Sequence, residues 1–211
     1  MKKIVLILIS ISFVTQAQMI DEVAQIQKQW AIVNYQTVKD NKEDAFEKLS
    51  KVATQLVLDN PKNAHALIWE GIVYSTYAGV AGTFSAGKLA KIAKKSFEAA
   101  IEIDESALNG AAHTSLGVLY YKVPGWPLSF GSDKKAMKHL KKGLQLNPTG
   151  IDANYFYSEF LYDEKDEYAE AKTHATIAKN ATPRPTRPVA DEGRQAEIQI
   201  LIAKIDKELA D

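Results

Sequence analysis

The spacing of small residues constrains this chain more than any other feature of its sequence. Ala93, Phe97 and Ala100 stand four and three apart, and the same spacing recurs in Ala136, Leu140 and Gly143 and in Ala171, Ala175 and Ala178. Residues three and four apart share one face of an α-helix, so a neighbouring helix can approach each set closely while the larger members fill the gap. Twelve residues after the first member of each set comes Glu105, Pro148 or Pro183. A matching first helix precedes each set, with Gly71 and Tyr74, and Gly117 and Tyr120, three apart. Recurrence at this scale marks a repeat architecture.

The rest of the sequence agrees with helix throughout. Residues 20–58 are rich in good helix formers, and their apolar residues return every three or four positions. Gly and Pro fall between such runs: at Pro61, at Gly79, Gly82 and Gly87, at Pro124-Gly125-Trp126-Pro127, at Pro148 and from Pro183 to Pro188. No run alternates with the two-residue period of a half-buried strand, so the fold class is all-α. The expected elements are four helical hairpins near 20–59, 63–103, 106–146 and 151–181, then a final helix near 189–209. That helix would act as a cap by burying Ile198, Leu201, Ile202, Ile205 and Leu209.

The first residues read as an address. Lys2 and Lys3 precede an apolar stretch from Ile4 to Val14, and Thr15-Gln16-Ala17 offers a small-residue cleavage site. Crossing a bilayer takes about 20 apolar residues, and this stretch is roughly half that. The expectation is a signal peptide over 1–17 and a single helical domain over 18–211, periplasmic or secreted and soluble after cleavage; the alternative is an uncleaved N-terminal anchor. No later segment is apolar enough to span a membrane. The balance of 26 Lys and Arg against 26 Asp and Glu becomes 24 against 26 once Lys2 and Lys3 leave with the signal. That near-neutrality speaks against nucleic acid as a partner, because phosphates call for a basic surplus gathered on one surface. Without cysteine there is no disulfide framework, thiol nucleophile or thiolate metal site.

The repeat resembles the tetratricopeptide repeat. Its pattern places a small residue at repeat position 8, Tyr at 11, Ala at 20 and 27, a large apolar residue at 24 and Pro at 32. Counted back from Pro183, the last repeat fits without gaps, with Glu159 at position 8 and Tyr162 at 11. The middle repeats fit only with about ten residues inserted around Ala78 to Gly87 and about seven around Lys122 to Gly131. The first, from Trp30 to Pro61, is degenerate, with Leu49, Ala53 and Leu56 at its second-helix positions. The fold implied is a tetratricopeptide-like α-solenoid with extended loops inside the middle repeats.

A more particular resemblance covers roughly residues 90–205. The runs from Tyr120 to Gly131, from Asn147 to Tyr157 and from Arg184 to Arg194 are similar to the periplasmic T-component of tripartite TRAP transporters. What this implies is a non-enzymatic exported scaffold that engages a protein partner, a periplasmic solute-binding protein, with a path for a small organic ligand and with self-association into oligomers. The chain departs from lipid-anchored members, having no cysteine after the signal. The alternative is a general cell-envelope adaptor for protein–protein interaction without a transport role. A weaker third is an enzyme with an unrecognised site.

Candidate contact residues lie in three places. Two prolines and Gly125 fix the direction of Trp126, which could stack on a ligand or anchor a partner together with Tyr121 and Phe130; alternatively Trp126 and Phe130 plug a seam between helices. Arg184, Arg187 and Arg194 surround Asp191 and Glu192, behind a proline-held extended segment. They could fork the carboxylate that TRAP substrates carry, as the resemblance implies, or form an internal ion-pair network that pins the last helix. Asp152, Asn154 and Tyr155 open a first helix where the concave surface of a solenoid is lined; the plain roles are capping by Asp152 and core packing by Tyr155.

Other motifs fail. Gly82 to Lys88 has the glycine and lysine spacing of a phosphate loop, but Leu89 stands where Ser or Thr must hold magnesium, and the segment reads instead as a flexible small-residue connection. His65, His113, His139 and His174 are far apart in sequence, so no metal site is expected. The lysine runs at 88–95 and 134–142 read as solvated faces. No catalytic residue and no cofactor are expected.

Overall fold

The computed structural model describes Met19 and residues 21–210, so the expected signal peptide over 1–17 lies outside the described residues. Among the described residues every regular element is a helix: α1 (21–35), α2 (Lys39–Asp59), α3 (Ala64–Val80), α4 (Thr83–Asp104), α5 (Ala107–Lys122), α6 (Asp133–Leu146), α7 (Ile151–Lys165), α8 (Tyr168–Lys179) and α9 (Pro188–Ala210). The limits fall within a few residues of those read from the periodicity. None of these helices is long and apolar enough to cross a membrane.

The alanine stripes are where consecutive helices meet. Ala93, Phe97, Ala100, Ala136, Ala171, Ala175 and Ala178 are fully buried. Each stripe admits the preceding helix so closely that a methyl group on Gly71 would lie 2.4 Å from the Phe97 ring, and one on Gly117 would lie 2.7 Å from Leu140. Helices α3 with α4, α5 with α6 and α7 with α8 therefore pack as pairs, and each odd-numbered helix from α3 onward also touches the next odd one. In the last pair, Ser158 fills the place that the repeat register gave to Glu159. Its hydroxyl is buried and donates to the Ala171 carbonyl at 2.7 Å.

The apolar core has two parts that share α3. Leu67 and Ile68 face the larger part, which runs to Ile198, Leu201 and Ile205 of α9. Trp69 and Val73 face a smaller part with Val23, Ile26, Trp30, Phe46 and Leu49. Leu108 packs against both. Its backbone and that of Asn109 and Gly110 are left-handed, with φ of 49°, 56° and 74°. A non-glycine residue there loses about 1–2 kcal/mol, which burial of Leu108 between the two clusters offsets. Regular helix in α5 thus starts later than the periodicity predicts.

Three expectations need correction. The insertion around Ala78 to Gly87 is not an extended loop: only Ala81 and Gly82 separate α3 from α4, and the extra residues lengthen the two helices. Thr83 to Lys88, read as a flexible connection, is helical because nothing there resists helix beyond glycine's modest cost. The second insertion does form a loop, over 123–132. Leu209, expected in the cap, is 50% exposed, since α9 outruns the helices it packs on.

Candidate functional site

The odd-numbered helices bring charged and aromatic side chains into one continuous row. It begins on α5, where the Lys122 ammonium lies 2.9 Å from Asp163 and 3.4 Å from Glu159. The Tyr121 and Tyr155 hydroxyls both donate to Glu159, the latter at 3.2 Å. Next, the Arg194 guanidinium lies 4.4 Å from the ring centres of both Tyr155 and Phe156. Arg194 Nε donates to Asp152 at 3.0 Å and Nη1 to Glu197 at 2.5 Å. Glu197 in turn accepts from the Tyr35 hydroxyl of α1 at 3.3 Å. The row thus runs from α5 through α7 and α9 to the first helix.

Asp152 is the hub. Arg184 Nη1 donates to it at 2.6 Å and Arg187 Nη1 stands 4.0 Å away. Arg184 is also fastened to Asp191, through its backbone N–H at 2.6 Å and Nε at 2.7 Å. Burial would push the Asp152 carboxyl up, but the positive charges of Arg194, Arg184 and Arg187 outweigh it and hold the group well below the ordinary carboxylate range. Burial, and then the Glu159 carboxylate, push the Tyr121 hydroxyl well above its ordinary value. Tyr35 rises to about 12, mainly by burial, with Arg194 opposing and Glu197 adding. These tyrosines are neutral hydrogen-bond donors at any physiological pH.

Arg187 differs from its neighbours. Its guanidinium lies 5.1 Å from the Trp69 ring centre, and its buried Nε has no hydrogen-bond partner among the described residues. Burial, and then Arg184 beside it, push its pKa down. Arg184 and Arg194 are committed to internal carboxylates, so a two-armed grip on an outside carboxylate is not preformed there. The row consists of hydrogen-bond donors and acceptors that are mostly bonded to one another.

No protein-family model matches the chain, and no curated protein matches it either.

The structure therefore gathers Tyr121, Asp152, Tyr155, Arg184, Arg187 and Arg194 into one cluster and leaves three other candidates outside it. Asn154 turns to the opposite side of α7. Its amide donates to the carbonyls of Pro148 and Gly150, each at 3.0 Å, and its Oδ1 lies 2.8 Å from His174 Nδ1. With no exposed surface, Asn154 offers nothing to a ligand, because those bonds fix the entry of α7. Phe130 packs edge-on against Tyr120, whereas Trp126 is 89% exposed and plugs no seam. Asp152 is no cap: α7 has no side-chain cap at its start, and the arginines take both carboxylate oxygens. Asp191 joins the arginines as expected, while Glu192 is exposed.

Sequence reasoning missed Tyr35, Trp69, Phe156, Glu159 and Glu197. Glu159 lies four residues after Tyr155 and Glu197 three after Arg194, spacings that share a helix face and could have flagged both. Tyr35 and Trp69 carried no such signal. The structure also unites two histidines that the sequence separates: His113 and His139 stack, with their Nδ1 atoms 2.9 Å apart. Among the described residues no group of three or more His, Asp or Glu could hold a metal ion.

Proposed function

We propose that this chain is a tetratricopeptide-like helical scaffold of the cell envelope that binds a protein partner, in the way its resemblance to the TRAP T-component implies. The partner class is a periplasmic solute-binding protein, and a small organic ligand is secondary. The observation that carries this reading is the repeated packing itself. Gly71 against Phe97 and Gly117 against Leu140 are the same contact made in successive helix pairs, and stacking such pairs generates an extended surface suited to binding. On the odd-helix side that surface presents the partly exposed side chains of Lys122, Glu159 and Arg187, charged groups suited to a partner's polar surface.

The general envelope adaptor is the second reading. It is favoured by the internal commitment of Arg184 and Arg194, which leaves less for a free small anion than for a partner's surface. To separate the two, the tagged chain is used to recover proteins from periplasmic extract, beside Arg187→Ala and Glu159→Gln variants. Enrichment of a solute-binding protein, reduced in both variants, is expected. Enrichment of other envelope proteins alone favours the adaptor, and recovery of no specific protein overturns both readings.

A further inference from the structure

Phe84, Trp126 and Leu128 are the most exposed large apolar side chains of the described residues, at 104%, 89% and 84%. Phe84 stands at the α3–α4 turn, and the other two stand on the α5–α6 loop. Successive helices of the pairs run in opposite directions, so both connections lie at the same end of the molecule. Helix α4 is also beside the loop, since Lys94 Nζ lies 5.9 Å from the Phe130 ring centre.

The loop holds its apolar tip outward by construction. The N–H groups of Leu128 and Ser129 both donate to the Gly125 carbonyl at 3.1 Å, that of Gly131 to Pro124 at 2.9 Å and that of Ser132 to Tyr120 at 2.8 Å. Gly131 lies so close to the other limb that a methyl group there would be 1.9 Å from the Val123 carbonyl oxygen. A tip already fixed loses little conformational freedom when it is buried against something.

On the α4 and α6 side of these tips the charge is one-sided, in a chain that is balanced overall. The acids of this end, Asp163, Glu164, Asp166 and Glu167, stand on the α7–α8 side, next to Lys122 and Asp133. Residues 79–97 hold four lysines and no acid, and residues 121–142 hold six lysines against Asp133 alone. Lys88, Lys91, Lys95, Lys134, Lys138 and Lys141 are exposed and form no ion pair among the described residues. Protein hot spots are recessed and ringed by contacts that exclude water. Here single aromatic and aliphatic side chains protrude ahead of a band of free lysines, the arrangement that the headgroup region of an anionic bilayer accepts.

We infer that this end of the molecule attaches to an anionic phospholipid surface, with Trp126, Leu128 and Phe84 entering the boundary between headgroups and acyl chains. The lysines of α4 and α6 face the phosphates. This attachment uses other side chains than the partner binding proposed for the odd-helix row, which begins at Lys122 beside the loop.

The test reads Trp126 by its own fluorescence. Trp30 and Trp69 are 7% and 2% exposed, so among the tryptophans Trp126 is the one whose environment lipid can change. Mixed phosphatidylglycerol and phosphatidylcholine vesicles are titrated into the full chain, which keeps any contribution of residues 1–18 common to all variants. The expected result is a blue shift, quenched by brominated acyl chains, weakened by salt and absent with phosphatidylcholine alone. Leu128→Ser combined with Phe84→Ser touches no core residue and moves the midpoint about tenfold to higher lipid. Lys134→Gln combined with Lys138→Gln does the same at low salt, by about tenfold. The inference is overturned if anionic vesicles leave the emission unmoved, if short single-stranded DNA moves it as much as lipid does, or if periplasmic protein moves it and lipid does not.

Discussion

A methyl group added at Gly71 would meet the ring of Phe97, which is fully buried and has nowhere to move. Gly79, on the same helix, would gain a methyl group that meets nothing within 4 Å. The same substitution is therefore expected to have opposite signs at the two sites. Gly71→Ala loses about 1–3 kcal/mol to overpacking, more than the helix propensity it gains. Gly79→Ala gains about 0.5–1 kcal/mol. Denaturant midpoints at unchanged slope check both. The small residue at Gly71 was legible in the sequence, because it stands three before a tyrosine in a recurring pattern. Ser158 was not, because counting back from Pro183 put Glu159 in that place. Only the packing of α7 on α8 shows which of two adjacent side chains turns inward.

At the scale of helix pairs, α5 and α6 carry a titratable contact that spacing could not reveal. His113 and His139 share a hydrogen bond between their Nδ1 atoms, so one ring donates and the other accepts. Burial, then the neighbouring His113, pushes His139 down to about 4, with Lys138 and Lys135 adding and Glu98 opposing. Burial also lowers His113, against the pull of Glu105. Both imidazoles protonate near 6.5 in the unfolded chain, which therefore takes up protons before the folded one does. Stability from this pair is present above about pH 6.5 and is lost as pH falls from there through about 4. The decline in Tm between pH 7 and 5 is expected to be smaller for His139→Gln than for the unaltered chain. An equal decline would place the loss elsewhere.

Taken as a whole, the molecule is joined end to end. Val189 and Ala190 at the start of α9 pack in the smaller core with Trp30 and Trp69, and Gly193 lies against the Tyr35 ring. Helix α9 is thus more than a cap on α8: its first turns also reach the N-terminal helices. Asp152 holds this junction through Arg184 and Arg194. Asp152→Asn is expected to cost about 2–3 kcal/mol, less than a fully buried pair because its side chain is 31% exposed. It is also expected to speed amide hydrogen exchange in α1 as well as in α7 and α9. Exchange that quickens only in α7 and α9 would mean that Asp152 does not hold α1.

Local periodicity determined the all-helical class and most helix limits, because the residues that bury a helix face must recur every three or four positions whatever they pack against. Nearness in sequence grouped Asp152 with Tyr155 at the opening of a helix, and the three arginines with Asp191 behind the proline-held segment. Tertiary structure alone decided the rest. Asp152 and Asp191 share Arg184 across 39 residues of chain, Tyr35 meets Glu197 across 162, and His113 meets His139 across 26. Such pairings depend on how far each helix pair is turned against the next. That angle is the sum of many small packing contacts, and no short stretch of sequence records it.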